Sequence, residues 1–338
     1  MQLTLHRFEL PLEHRFGISR GSRISVHSLI LELSQGGCRG YGEATANAYY
    51  ETTLDSLTRE LEGVRSIVES TVLESPQEFS GRMESELAES PFARCALDEA
   101  AWDLHGKLLG KPVWDLWGLS LENLPASNYT IGIDAIDVMV AKIKERPDWP
   151  IYKIKLGTAE DLAIVARLRE HTDAVFRVDA NCGWTVEETI ENSRALAELD
   201  VEFIEQPLPA DDWRGMQTVF ERSALPVIAD ESCREPADID RCRGCFHGIN
   251  IKLMKCGGLT PARRMIDRAK ALGMKTMVGC MTESTVGISA SAQLLPLLDY
   301  VDMDGAVLLD EDTASGVRVE RGRAMFPDEN GTGVRLFR

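Results

Sequence analysis

Two hydrophobic periods divide the chain. Over residues 2–10, 24–33 and 40–43 apolar and polar side chains alternate, with glycine turns between. A period of two predicts an antiparallel meander. From Leu54 the spacing becomes three and four: Leu54, Leu57, Leu61, Val64, Ile67 and Val68 share one helical face. Pro91–Leu109 predicts a second helix, alanine-rich and so closely packed, and 118–125 reads as a linker. From Asn128 a strand–helix unit repeats. Apolar runs predict strands near 128–133, 151–156, 174–180, 202–207, 226–231, 248–255, 275–280 and 300–305. Helices are predicted near 134–146, 159–171, 185–199, 211–222, 236–243, 260–272 and 284–295. Asp134, Thr185 and Thr260 suit helix N-caps, and Pro261 suits a first helical position. Eight strands joined by seven helices make an α/β fold, a barrel of the form (β/α)7β. After Gly305 the period of two returns. The expected division is an α+β N-terminal domain of 1–120, completed by 306–338, and a barrel of 121–305.

Five charged residues close successive barrel strands: Lys155, Asp179, Glu205, Asp230 and Lys255, spaced 24 to 26 residues apart. A parallel barrel gathers its strand C-termini at one mouth. One acid after a strand is usually a cap or a solvated charge. Three in register, in Arg177-Val-Asp179, Ile204-Glu205-Gln206 and Ala229-Asp230-Glu231, would repel one another unless a divalent cation lay between them. An all-oxygen set without histidine or cysteine predicts magnesium or manganese rather than zinc.

In Tyr152-Lys153-Ile-Lys155-Leu156 both lysines take the same side of a strand, the barrel interior. Close to each other and to a cation, their ammonium groups are expected to have lowered pKa values, as a base needs. Lys255, in Asn250-Ile-Lys252-Leu-Met-Lys255-Cys-Gly-Gly258, lies four repeats on and is expected to face Lys155 across the mouth. Two bases on opposite faces of one carbon imply proton removal from one face and return to the other, with Lys153 beside the enediolate charge.

The net charge of −17 argues against nucleic acid and anionic membranes as partners. No run approaches the roughly 18 apolar residues of a membrane span. The N-terminus shows no export signal, so a cytoplasmic protein is expected. The eight cysteines are scattered. Cys242-Arg-Gly-Cys245 with His247 reads as a loop before a strand, since no second pair lies at zinc-finger spacing. The oligomeric state is open, a homo-oligomer included.

The Lys153-x-Lys155 pair, the Asp179/Glu205/Asp230 triad and Lys255-Cys-Gly-Gly resemble the enolase superfamily, in its muconate-lactonising subgroup, over nearly the whole chain. That resemblance implies an N-terminal α+β capping domain, a modified TIM barrel and an essential magnesium. Lysine bases and metal-stabilised ene-diolates are documented chemistry of that superfamily. Within the subgroup, Tyr300-Val-Asp302-Met-Asp304-Gly305 is similar to the signature of dipeptide epimerases such as the L-Ala-D/L-Glu epimerases. Two carboxylates two residues apart on a strand face the same way, and a substrate ammonium group would relieve their repulsion. The resemblance implies that Thr130 and Glu283 line the same pocket. The loop Phe16-Gly-Ile-Ser-Arg20-Gly-Ser-Arg23 should overhang the mouth. Either Arg20 or Arg23 clasps a substrate side-chain carboxylate there, or both are simply solvated. Some Ala-Glu epimerases carry a lysine where this chain has Thr285, which loosens any assignment to glutamate. Tyr49 and Tyr50 read either as a second lid or as cap packing.

The expected function is thus that of an isomerase, a magnesium-dependent dipeptide epimerase that inverts the α-carbon of the C-terminal residue of its small-molecule substrate. The alternatives are N-acylamino acid racemase, o-succinylbenzoate synthase or cycloisomerase chemistry, or a barrel that binds ligand without catalysis.

Overall fold

The structure, a computed structural model, describes residues 1–337. The chain opens with three antiparallel strands, β1 (Gln2–Ile18), β2 (Gly21–Gln35) and β3 (Cys38–Thr45), in that order in one sheet. Three helices follow: α1 (Leu54–Glu69), α2 (Pro76–Glu86) and α3 (Pro91–Leu109), with a short α4 (Val113–Leu116). α1 starts at a capping box on Thr53 and buries Leu57, Leu61, Val64 and Val68, the face its spacing predicted. α3 is buried almost all round because it is sandwiched between the sheet and the barrel. Its small residues permit a close approach: a Cβ at Gly42 would lie 2.0 Å from the Ala96 carbonyl oxygen.

The barrel strands are β4 (Tyr129–Ile131), β5 (Ile151–Lys155), β6 (Val175–Asp179), β7 (Val201–Glu205), β8 (Val227–Ala229), β9 (Gly248–Ile251), β10 (Lys275–Val278) and β11 (Tyr300–Val301). They form one parallel sheet in chain order, and a bridge between Ser127 and Val301 joins its two edges into a ring. The connecting helices are α5 (Ile136–Glu145), α6 (Asp161–Arg169), α7 (Val186–Glu198), α8 (Trp213–Arg222), α9 (Ile239–Cys242), α10 (Leu253–Cys256), α11 (Leu259–Ala271) and α12 (Thr285–Ala292). Thr185 caps α7 with a full capping box, as expected. Asp134 and Thr260 are not caps: α5 begins after Ala135 and α11 after Gly258, which puts Pro261 two residues past the first helical position.

The largest departure is at the sixth barrel strand, expected over 248–255. β9 stops at Ile251. Lys252 is the N-cap of the one-turn α10, which Gly257 closes in the left-handed region (φ 96°). Beyond Gly305 the chain returns toward the N-terminal region through β12 (Ala314–Ser315), β13 (Arg318–Glu320), β14 (Arg323–Met325) and β15 (Arg335–Leu336). The Asp310 amide donates to the Pro11 carbonyl, and the Thr332 amide and hydroxyl donate to Asp103 of α3. Among the described residues no helix is long and apolar enough to cross a membrane.

Candidate active site

Strand register brings the chemistry together. Lys155 pairs with Asp179 across β5 and β6, and Asp179 pairs with Glu205 across β6 and β7. The acids therefore end their strands at one level. Ligating oxygens of Asp179, Glu205 and Asp230 all lie within 4.8 Å of one another, and the three side chains are almost wholly buried. The backbone turns sharply just above: Asn181, Cys182 and Gln206 take positive φ, a strained conformation often found at active sites. Gln206 fastens this rim. Its Oε1 accepts from the Asp230 and Ser232 amides, and its Nε2 donates to the Leu208 carbonyl and Ser232 Oγ.

Four lysines surround the acids. Lys153 Nζ lies 2.7 Å from Asp302 Oδ2, 2.8 Å from Glu205 Oε2 and 3.1 Å from Asp179 Oδ2. Lys155 Nζ donates to Asp179 Oδ2 at 2.6 Å, and Lys252 Nζ to Asp230 Oδ2 at 2.7 Å. Lys153, Lys155 and Lys252 all line a cavity of about 550 Å³ at the mouth. β5 and β9 are four strands apart in an eight-stranded ring, so Lys155 and Lys252 stand on opposite walls.

Lys255 does not reach this cavity. Its ammonium is fully buried, donating to Asp230 Oδ1 and to the carbonyls of Asp230, Cys233 and Asn250. The assignment of Lys255 as the residue facing Lys155 is therefore corrected to Lys252. The cause is the early end of β9, since α10 turns Lys255 back into the protein. A signal for Lys252 was present: Asn250 and Lys252 alternate as Lys153 and Lys155 do, and Asn250 Nδ2 donates to Glu205 Oε1 at 2.8 Å.

The expected lowering of the pKa is also corrected at Lys153. Burial alone would lower Lys153 and Lys252, but the carboxylates around them outweigh it. Asp302, Glu205 and Asp179 raise Lys153, and Asp230 leads in raising Lys252. Asp230 is in turn held well below the usual carboxylate range by Lys252 and Lys255, despite its burial. Burial and the Asp179 charge push Glu205 up to about 7. The residues fit a hard divalent cation. All donors are oxygens, and Glu205 Oε2 is buried without a directed hydrogen bond, Lys153 being its charged neighbour.

At one end of the cavity Asp302 and Asp304 stand beside Thr130. Asp304 Oδ2 accepts from the Thr130 amide at 2.5 Å, and burial together with the Asp302 charge pushes Asp304 up to about 8. Glu283 is not there, contrary to expectation. Thr282 lines the cavity, and the next residue points the other way, into a buried group with Glu43 and Glu99. Burial and those two neighbours raise Glu283 well above the usual range.

The hairpin between β1 and β2 overhangs the opening and separates its two arginines. Arg20 is engaged: it donates to Glu231 Oε1 at 2.7 Å and to the Asn181 carbonyl at 3.0 Å, with its guanidinium 4.2 Å above the Tyr49 ring. Arg23 also lines the cavity, and among the described residues it has no hydrogen-bond or ion-pair partner. Tyr49, Tyr50 and Met281 complete the wall, whereas Trp184 is buried beneath, donating to Asp161. Cys242 and Cys245 form a turn before β9 and are free thiols.

Comparison with known proteins agrees with this geometry. The family model "Mandelate racemase / muconate lactonizing enzyme, N-terminal domain" matches residues 3–118, and "Enolase C-terminal domain-like" matches 138–338. An L-Ala-D/L-amino acid epimerase of Maribacter sp. is 57% identical over 99% of both chains. Another, of Flavobacterium johnsoniae, is 56% identical over the full length of both. The crystal structure of a dipeptide epimerase from Enterococcus faecalis, complexed with Mg and L-Leu-L-Tyr, superposes with a TM-score of 0.92 at 29% identity, over 98% of each chain. The chain belongs to the mandelate racemase / muconate lactonizing enzyme family of the enolase superfamily.

Proposed function

We propose that this chain is a dipeptide epimerase that inverts the α-carbon of the C-terminal residue of a dipeptide with a free amino end. The observation that carries the reading is the pair Lys155 and Lys252 on opposite walls of one acid-floored cavity. In one direction the neutral amine of Lys155 takes the α-proton, the C–H electrons pass into the carboxylate as an enediolate, and the Lys252 ammonium returns a proton to the other face. In the other direction the roles exchange. Lys153 stays protonated and places its charge beside the substrate carboxylate.

Asp179, Glu205 and Asp230 would hold Mg2+ (or Mn2+), which when bound offsets their charge and stabilises negative charge on the substrate carboxylate. Asp302, Asp304 and Thr130 receive the ammonium group. Arg23, free where Arg20 is tied, faces the side chain of the inverted residue. Residues 1–120 with 306–338 then form the cap and 121–305 the catalytic barrel. The likeness to L-Ala-D/L-amino acid epimerases at 57% and 56% identity supports L-Ala-Xaa dipeptides as the substrates of this chain.

The test is a set of L-Ala-L-Xaa dipeptides in deuterium oxide with magnesium, read by mass shift and chiral chromatography. Deuterium at the C-terminal α-carbon and a mixture of epimers are expected. Exchange on N-acylamino acids without exchange on any free dipeptide would favour racemase chemistry and overturn this reading.

A further inference from the structure

The two carboxylates at the ammonium end of the cavity are held differently. Asp304 Oδ2 accepts a hydrogen bond from the Thr130 amide. Asp302 is held at both oxygens: Oδ2 by Lys153 Nζ at 2.7 Å and Oδ1 by Asn128 Nδ2 at 2.8 Å. Asn128 is fully buried and does not line the cavity, so it touches no substrate. Its amide nitrogen also reaches Thr130 Oγ1 at 3.3 Å, while its Oδ1 is buried without a partner. That orientation is dictated by charge, because the reversed amide would set a carbonyl against a carboxylate. A side chain kept only for packing would not need a polar atom left unsatisfied.

Short as it is, the segment 127–130 is stitched to 301–304 along its length. Ser127 bridges Val301, Ser127 Oγ accepts from the Met303 amide, Asn128 holds Asp302 and Thr130 holds Asp304. Lys153 alone would draw Asp302 toward the lysine side of the mouth. The Asn128 amide pulls on the other oxygen, so the carboxylate cannot rotate, and it supports the ionised form that an ammonium needs as partner.

We propose that Asn128 is a positioning residue for recognition of the substrate amino end, acting through Asp302 without touching substrate. This rests on the dipeptide reading above. The experiment compares wild type with Asn128→Leu and with the smaller Asn128→Ser, which keeps a donor hydroxyl and guards against a variant that does not fold. KM and kcat are measured for an L-Ala-Xaa dipeptide, and Ki for its des-amino analogue, in which propionyl replaces alanyl. Asn128→Leu is expected to raise the dipeptide KM by roughly tenfold, the size of one charge-assisted hydrogen bond, with Ki for the analogue unchanged. Asn128→Ser should fall between. A merely structural role would raise KM and Ki together, and that outcome, or no change in either, overturns the inference. Wild type turning over no free dipeptide is a separate result, which removes the functional reading itself.

Discussion

On β5 the two lysines are separated by one residue; beside β9 they are separated by two. Lys153 and Lys155 lie on one continuous strand and both enter the cavity. Lys252 and Lys255 both follow the end of β9: the first, still extended as the helix N-cap, enters the cavity, and the second, inside the helical turn, is folded beneath it, wrapped by three carbonyls and a carboxylate. Alternation assigns faces only while the backbone stays extended, here through Lys252. Once the turn begins at Leu253, helical geometry decides.

Two substitutions would break or confirm that contrast. Lys252→Ala should lower epimerisation by roughly 10³-fold, the scale of a lost general acid–base group, and Lys155→Ala likewise. Each single variant should still exchange the α-proton of one epimer with deuterium oxide, and the two variants should select opposite epimers. Equal exchange of both epimers by either variant would sink the two-wall arrangement. Lys255→Met should act differently. Removing one partner of a fully buried pair costs about 3–5 kcal/mol, so the melting temperature should drop sharply. The folded fraction should keep the proton-exchange pattern of wild type for both epimers. If Lys255→Met instead showed one-sided exchange at unchanged stability, the assignment would revert to Lys255.

The two arginines of the hairpin repeat the contrast at smaller scale. Arg20 ties the loop to Glu231 and Asn181 and stacks on Tyr49, so Arg20→Met should raise KM for every dipeptide by roughly tenfold, the loss of one charge-assisted contact. Arg23 forms no such tie. Arg23→Met should leave neutral dipeptides unchanged and lower kcat/KM several-fold, within about tenfold, for those ending in Asp or Glu. A uniform loss in both variants would show that Arg23, too, only shapes the loop.

Much of this was legible in the chain. The strand–helix repeat follows from apolar runs, and the acid triad from its register with them. Both were visible because each rests on many residues or on a pattern repeated three times. The sixth strand misled for a physical reason. Lys255 keeps the 25-residue rhythm and Lys252 does not, yet register in a barrel is set by where each strand ends, not by equal spacing. Nothing before Gly257 announces that β9 stops at Ile251. Asn128 was equally hidden. It precedes a strand and carries no charge, and its partner lies 174 residues away.

Glu283 offers the smallest test and the last in-versus-out contrast, with Thr282 in the cavity and Glu283 turned away from it. Buried with Glu43 and Glu99, its carboxyl binds a proton more tightly in the folded chain than in the unfolded one. Such a group contributes its full stability below the unfolded value near 4.3 and loses it as pH rises toward the folded value. Glu283→Gln keeps the shape and removes the titration. The wild-type unfolding free energy should therefore fall more steeply than that of Glu283→Gln as pH rises above about 4.3, by at most about 1.4 kcal/mol per pH unit for one proton. Turnover at pH 7 should be unaffected, because the side chain does not meet the cavity. A large loss of activity with an unchanged pH–stability slope would instead return Glu283 to the substrate pocket, where the resemblance had put it.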